Sequence, residues 1–171
     1  MKSALLCNGP SRIAYKGREG YDYVLGCNFP WTDVDATTVL DIPVVEIWNK
    51  DRTVIPCKAY FSEASWRTAK QLDEEFFTSK FIDEVKVQTN WHSSGHVGAE
   101  ILISKGYTEI DVYGCDAWFG NSDSFTRAFI PFDSPNRVLR ANSKLIEWRL
   151  RWNILKEENP NVKLNFIRAP K

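Results

Sequence analysis

Short apolar runs that stop at polar turns recur along this chain of 171 residues. SALLC (3–7), YDYVLGCN (21–28) and EIDVYG (109–114) have this shape, which is typical of buried strands. Helical patterns lie between and after them, as in SEASWRTAKQLDEEFF (62–77) and in the segment from Asn136, where apolar residues recur at spacings of three and four. This alternation predicts an α/β fold, a Rossmann-like three-layer sandwich with a largely parallel sheet and helices on both faces.

Other segments extend the same pattern. Further strands are predicted at 43–49, 53–61, 84–89 and 162–167. Residues 32–41 are compatible with a short helix, because Thr32 or Asp33 can cap it. The apolar residues between Val97 and Ile103 lie on too many sides for a surface helix, and they predict a short buried helix that stops at Gly106.

Length and charge limit the classes of protein to which the chain can belong. A single domain spanning 1–171 is expected at this length. Lysine plus arginine equal aspartate plus glutamate at 22 each, which argues against a nucleic acid or an anionic membrane as partner. Four scattered cysteines without C-x-x-C spacing are typical of buried thiols in a reducing compartment. Because the chain has neither a signal-peptide core nor a membrane-spanning run, we expect a cytoplasmic protein. The sequence leaves open whether the protein forms a homo-oligomer.

Polar residues follow the predicted strands, and ligands of open parallel sheets bind beyond the carboxyl ends of the strands. The residues selected by this rule are Asn8, Gly9, Ser11, Cys27, Asn28, Asn49, Ser93, Ser94, Gly95 and Asp116. A glycine turn lets backbone N–H groups approach a ribose or phosphate, and an asparagine can both donate and accept. Ser94 and Gly95 would open a helix whose first N–H groups suit a phosphate. Each motif also has a simpler interpretation, as a common turn, a strand end or a helix cap.

The order of CNGPS, then GCN, then SSGHVGAEILISKGYTEIDVYGCD resembles a family of enzymes. It is similar to the bacterial CMP-sialic-acid-dependent sialyltransferases and to the related motility accessory factor and 6-hydroxymethylpterin diphosphokinase-like family, over most of the chain. The resemblance implies a small transferase that binds CMP or a nucleotide sugar and transfers a glycosyl group, with diphosphate transfer as the second choice. The nucleotide-binding residues implied are Asn8, Gly9, Ser11, Asn28, Ser93, Ser94 and Gly95.

The chain departs from that family where catalysis is concerned. The family carries a lid with a histidine as general base, whereas the corresponding loop here, about 117–135, is short and contains no histidine. His92, His96 and Asp116 are therefore the candidate catalytic residues, flanking the expected phosphate site.

Metal binding has two weak sequence signals. His92 and His96 have H-x-x-x-H spacing, and the D-V-D of residues 33–35 is similar to the metal-binding D-x-D of many glycosyltransferases. The same two aspartates equally suit the first turn of a helix. The sialyltransferases that the chain resembles need no metal, so we expect no required cofactor and no metal ligands.

Two functional classes stay open from the sequence. The first is the transferase, with a small-molecule nucleotide or nucleotide sugar as partner. The second is a non-catalytic module that binds a nucleotide or another protein. The aromatic loop at about 117–135 fits either class, as a lid over a substrate or as an interface.

Overall fold

The computed structural model describes residues 1–30, 32–54, 57–87, 93–119 and 137–170, without the side chains of 54 and 137–145. In this part of the chain the strands are β1 (Lys2–Leu6), β2 (Tyr23–Cys27), β3 (Ala36–Val39), β4 (Lys58–Ser62), β5 (Phe81–Val85), β6 (Glu109–Tyr113) and β7 (Lys163–Ile167). The α-helices are α1 (Ile42–Lys50), α2 (Glu63–Lys80), α3 (Ser94–Ser104) and α4 (Arg137–Glu158).

The strands form one seven-stranded sheet in the order β5-β4-β3-β2-β1-β6-β7. Every pair of neighbours is parallel, which confirms the predicted α/β class. The chain builds outward from β1 to β5 and then returns through α3 to place β6 on the free side of β1. The order of the strands therefore reverses between β1 and β6, and this is the point at which open parallel sheets bind ligands.

Consecutive side chains of the central strands pack in apolar clusters on opposite faces of the sheet. Leu5 and Leu25 pack in the cluster that includes residues of α3 and α4, whereas Leu6 and Val24 belong to a cluster on the opposite face. This alternation follows from the two-residue period of a strand. A third cluster, built around Trp48, joins α1 and α2 to β3 and β4. Both faces of the sheet are therefore covered, as a three-layer sandwich requires.

The helices differ in how closely they approach the sheet. A Cβ atom at Gly98 would lie 2.6 Å from Leu5 Cδ1, so α3 packs closer to β1 than a larger residue would allow. This confirms the prediction of a buried helix in this segment. Helix α2 is interrupted at Asp73, whose carboxylate accepts the N–H of Phe76 and so starts a second helical segment. None of the described helices is both long and apolar enough to span a membrane.

Four of the predicted elements were wrong in type or in position. One is the strand predicted at 53–61, since Thr53 and Val54 lie in a 3-10 helix and the strand, β4, begins only at Lys58. Residues 43–49 are not a strand but lie in α1, which has Pro43 in its first turn and buries Val44, Val45 and Trp48. Residues 32–41 do not form a short helix but contain β3, and both threonines of this strand are buried. Strand β5 begins at Phe81, three residues before the predicted start at 84.

Candidate functional site

The carboxyl ends of β1, β2 and β6 are joined by hydrogen bonds. Asn8 Nδ2 donates to the Cys27 carbonyl at 3.1 Å, which links the end of β1 to the end of β2. The N–H of Gly9 donates to the Gly114 carbonyl at 2.8 Å, which links β1 to β6. The structure therefore brings together the polar turns that were predicted from separate parts of the sequence.

The turn after β1 is packed against the turn after β6. A Cβ atom at Gly9 would lie 2.4 Å from Asp116 Oδ2 and 2.5 Å from the Gly114 carbonyl oxygen, so only glycine fits there. The N–H of Ser11 donates to Asp116 Oδ2 at 2.9 Å, and the Ser11 hydroxyl donates to Asp116 Oδ1. Both side chains are buried. Ser11, predicted as a ligand-binding residue, is thus hydrogen-bonded to Asp116, predicted as a catalytic residue.

Asn28, directly after β2, is the predicted site residue with a buried side-chain atom that lacks a hydrogen-bond partner within the described residues. Its backbone lies in the left-handed region at φ 60°, its N–H donates to the Thr38 carbonyl at 2.8 Å, and its own carbonyl accepts from the Thr37 hydroxyl. The residue is 6% exposed, and its side-chain Oδ1 has no hydrogen-bond partner within the described residues. A buried acceptor left unpaired costs about 1–3 kcal/mol, and a donor that reached Asn28 Oδ1 would recover this cost.

The amino end of α3 lies against the end of β1. A Cβ atom at Gly95 would be 2.9 Å from Cys7 Sγ and 3.3 Å from Trp152 Cζ2. Ser93 caps the helix: its hydroxyl accepts the N–H of His96, and its carbonyl accepts the N–H of Val97. The first two amides of the helix, those of Ser94 and Gly95, have no acceptor in the described part of the chain. They form the positive end of the helix dipole and suit an anion.

His96 is fully buried in the interface between α3 and α4. The N–H of Ser93 donates to its Nδ1 at 3.1 Å, and its Nε2 lies 3.1 Å from the Trp148 carbonyl oxygen. Because a carbonyl only accepts, Nε2 carries the proton and Nδ1 is the acceptor. The ring also packs on Trp152 at 4.4 Å between centroids. The bonds at both ring nitrogens make His96 a capping and helix-pairing residue.

Two other predictions from the sequence fall partly or wholly outside the described residues. His92 is one of them. Of the loop at about 117–135, the structure describes only residues 117–119, which belong to a 3-10 turn that begins at Asp116. Trp118 stacks on Phe166 of β7, with ring centroids 4.2 Å apart.

Asn49 does not follow a strand. It lies in α1, where its side-chain oxygen accepts a hydrogen bond from Arg52 at 3.5 Å. Asn49 is therefore not among the residues that the strand ends bring together.

The acidic pair of the D-V-D segment lies away from these turns. Asp33 and Asp35 precede β3 and are therefore at the amino ends of the strands, the edge opposite Asn8 and Asn28. Arg18 donates to Asp33 at 3.0 Å and to Asp35 at 2.7 Å. In the described ranges, no group of three or more histidine, cysteine, aspartate or glutamate side chains is arranged to hold a metal ion.

Three of the four cysteines meet at the ends of the same strands. Cys7, Cys27 and Cys115 belong to one apolar cluster, and all four cysteines are free thiols. Hydrogen bonding with Cys115 and Cys27, together with burial, raises the pKa of the Cys7 thiol well above its usual range. Cys7 therefore stays protonated at neutral pH, and it packs against the amino end of α3.

Arg12 is a residue of this region that the sequence analysis did not identify. It is 5% exposed, and its Nη1 donates to Asn8 Oδ1 at 3.3 Å and to the Phe29 carbonyl at 3.2 Å. Burial lowers the pKa of the Arg12 guanidinium, although nearby Cys27 and Cys7 partly oppose this change. An arginine two residues after a proline turn is usually exposed to solvent. The sequence therefore contained no signal that Arg12 would be buried among the site residues.

Comparisons of the chain with protein-family models, with curated proteins and with solved structures gave no match.

Proposed function

We propose that this chain binds a nucleotide, CMP or a nucleotide sugar, at the carboxyl ends of β1, β2 and β6. Its proposed activity is the transfer of the glycosyl group from a nucleotide sugar to an acceptor hydroxyl. The observation that supports the proposal is that two different groups without hydrogen-bond partners in the described residues lie at the same edge of the sheet. These are the buried Oδ1 of Asn28, which needs a donor, and the α3 amides of Ser94 and Gly95, which need an acceptor.

A nucleotide supplies both a donor for Asn28 Oδ1 and an acceptor for the α3 amides. Its base and its ribose carry N–H or O–H donors for Asn28 Oδ1, and its phosphate oxygens accept from the α3 amides. The amino end of α3 lies next to the end of β1, since a Cβ atom at Gly95 would be 2.9 Å from Cys7 Sγ, and β1 is the neighbour of β2. The position at the strand-order reversal between β1 and β6 agrees with the general location of ligands in parallel sheets.

The chemistry expected of these groups is stabilisation of the leaving nucleotide. In glycosyl transfer, the bond between the anomeric carbon and the phosphate oxygen breaks, and its electron pair stays on the phosphate. The acceptor oxygen bonds to the anomeric carbon and gives its proton to water. Amides already aimed at the phosphate stabilise the negative charge that grows there, without having to reorganise.

A second candidate is a nucleotide binder without transferase activity. The hydrogen bonds of His96 and Asp116 favour it, because both groups are engaged in holding the fold together. A general base would then have to come from a residue outside these two. Turnover of a bound nucleotide sugar distinguishes the two candidates, since a binder shows saturable affinity and releases no free sugar or transfer product.

The amide of Ser94 allows a test that leaves the helix intact. Proline is favoured in the first turn of a helix and removes one N–H. The preceding residue, Ser93, already has the extended backbone that proline requires before it, at φ −73° and ψ 168°. We expect Ser94→Pro to weaken CMP binding about tenfold, the effect of about 1.4 kcal/mol, whereas Ser94→Ala keeps the N–H and should bind like the wild type.

Isothermal titration calorimetry of the wild type and of both variants with CMP, UMP, GMP and ADP measures these affinities. Equal CMP affinity in Ser94→Pro and Ser94→Ala would remove the α3 amides from the site. If the wild type binds none of the nucleotides, the proposed function is wrong. The alternative is then a module that binds another protein.

A further inference from the structure

Cys7 and Cys27 stand opposite each other at the ends of two neighbouring strands. Strands β1 and β2 pair in parallel, and the last pair of their register is Leu6 with Gly26. One step further along the same register places Cys7 opposite Cys27. Asn8 Nδ2 donates to the Cys27 carbonyl at 3.1 Å and so holds the two strand ends together at that step.

Both thiols also lie on the same face of the sheet. Side chains two residues apart in a strand share a face, and the two cysteines follow Leu5 and Leu25 by two residues. Cys27 is buried in the same apolar cluster as these leucines, and Cys7 packs against that cluster. Neighbouring strands are about 4.8 Å apart, within the range of about 4.4–6.8 Å between Cα atoms that a disulfide bond spans. The backbone therefore allows a bond between these two thiols.

The two thiols differ in how readily they ionise. A hydrogen bond from Cys7 lowers the pKa of the Cys27 thiol although burial opposes this change, and the Thr38 hydroxyl lowers that pKa further. Thr38 lies opposite Cys27 in the register of β2 and β3. Hydrogen bonds with Cys115 and Cys27 instead raise the pKa of Cys7. Because the thiolate is the form that oxidants attack, Cys27 is the nucleophile of the pair and Cys7 holds the proton.

The two thiols differ in exposure as well. Cys27 is 1% exposed, whereas Cys7 is only partly buried. Hydrogen peroxide is only slightly larger than water, so the partly exposed Cys7 marks the side from which it approaches the pair.

The sulfur of Cys7 is also part of the packing of α3. A Cβ atom at Gly95 would lie 2.9 Å from Cys7 Sγ, so the first turn of α3 packs directly on this thiol. In a disulfide bond the two sulfurs are about 2.05 Å apart. Bonding to Cys27 would therefore move Cys7 Sγ from the position against which α3 packs.

We propose that Cys7 and Cys27 form an intramolecular disulfide bond in the presence of hydrogen peroxide, and that this bond displaces the amino end of α3. The Cys27 thiolate attacks one peroxide oxygen, the O–O bond breaks, and hydroxide leaves and takes up the proton that Cys27 had released. The product is a sulfenic acid at Cys27. The inference does not depend on nucleotide binding.

The second step closes the bond. The Cys7 sulfur attacks the sulfur of the sulfenic acid, whose S–O bond breaks, and the oxygen leaves as water with the proton of the Cys7 thiol. In total, two thiols and one peroxide give one disulfide and two waters, and the two electrons that the sulfurs lose reduce the peroxide. A dithiol reductant reverses the bond by thiol–disulfide exchange.

The first measurement uses the wild type, so it does not require any variant to fold. The protein is treated with hydrogen peroxide, its remaining thiols are alkylated under denaturing conditions, and the linked peptides are mapped by mass spectrometry. We expect one disulfide, between Cys7 and Cys27, which dithiothreitol removes. A bond from Cys7 to Cys115, bonds between molecules, or oxidation without any disulfide would overturn the proposal.

Serine substitutions assign the two chemical roles. In Cys7→Ser the sulfenic acid at Cys27 has no thiol partner, so dimedone added during denaturation should label Cys27. Cys57→Ser is the matched control, because Cys57 is buried in a cluster on the opposite face of the sheet. Its disulfide should form at a rate within about twofold of the wild type. Labelling of Cys7 in Cys27→Ser at the rate seen for Cys27 would contradict the assignment of Cys27 as the nucleophile.

Nitrogen-15 spectra of the oxidised and reduced wild type test the effect on α3. The amide resonances of Ser94 and Gly95 should move on oxidation and return on reduction, while that of Asp83 in β5, at the far edge of the sheet, should stay in place. A disulfide that leaves the Ser94 and Gly95 resonances unchanged would show that Cys7 does not control this end of α3. No nucleotide is added, so a failure of the proposed function does not affect this result.

Discussion

The carboxylate of Asp116 accepts both the backbone N–H and the hydroxyl of Ser11, a residue 105 positions earlier in the chain. Both residues are almost completely buried. This pairing joins the turn after β1 to the turn after β6, so the place where the strand order reverses is held by side chains as well as by the sheet.

Replacing Asp116 by asparagine should destabilise the protein. The amide would turn an N–H group toward one of the two Ser11 donors and leave a buried donor unpaired, at a cost of about 1–3 kcal/mol in the free energy of unfolding. Urea denaturation measures this change. The control is Asp33→Asn at an exposed carboxylate, which should change stability by less than about 0.5 kcal/mol. Equal effects of the two substitutions would contradict the assignment of the Asp116–Ser11 pair.

Gly95 should tolerate a methyl group only when Cys7 is shortened. A Cβ atom there lies 2.9 Å from Cys7 Sγ, so Gly95→Ala should cost about 1–3 kcal/mol through overpacking. In the double variant Gly95→Ala with Cys7→Ala, most of that cost should be recovered relative to Cys7→Ala alone. A double-mutant cycle of unfolding free energies measures the coupling. Strictly additive effects would mean that this contact does not set the position of α3.

His96→Gln separates a structural from a catalytic histidine. Glutamine at the third helical position can retain the capping box with Ser93, but it loses the Nε2 bond to the Trp148 carbonyl and the packing on Trp152. We expect a stability loss of about 1–3 kcal/mol. Turnover of any nucleotide sugar that the wild type uses should stay within about threefold of the wild-type rate. A loss of turnover by a factor of about one hundred, at unchanged nucleotide affinity, would make His96 catalytic after all.

Asp111 should make stability depend on pH in the acid range. Burial opposes its ionisation, but hydrogen bonds from Tyr21, Asn165 and Lys2 outweigh burial and lower the pKa of Asp111 below its usual value. A carboxyl group with a lowered pKa in the folded state stabilises the protein above the unfolded pKa, and this contribution is lost as the pH falls through the folded pKa.

The measurement for Asp111 is urea denaturation of the wild type and of Asp111→Asn at about pH 6 and about pH 3. The difference in unfolding free energy between the two proteins should be larger at the higher pH. A difference that grows on acidification would have the opposite sign and would refute the pairing of Asp111.

The alternation of apolar runs was enough to predict the parallel sheet. The spacing of apolar residues and the polar turns that end each run are local properties of the sequence. Local pattern failed at Ile42–Lys50, where two valines and an isoleucine suggested a strand although the segment is a buried helix. Pro43 in the first turn was the available signal. It failed again at β3, where acidic residues before Ala36 resembled a helix start, although the threonines and valine that follow favour a strand.

The turns could be predicted to lie near one another because parallel strands end at one edge of a sheet. The hydrogen bonds between these turns could not be predicted in the same way. The Ser11–Asp116 pair and the Arg12–Asn8–Cys27 connection depend on tertiary distances, and the sequence gives no order for strands until β6 is known to lie beside β1. His96 likewise appeared chemically available until its partner in α4 was known.

The most direct test of the nucleotide site is a titration of the nitrogen-15-labelled protein with CMP, followed through its amide resonances. Binding of CMP at this site should give saturable shifts at the backbone amides of Ser94 and Gly95 and at the side-chain amide of Asn28, with a single Kd for all three. Shifts that do not saturate, or saturable shifts confined to residues of the opposite edge such as Asp33 and Asp35, would contradict it.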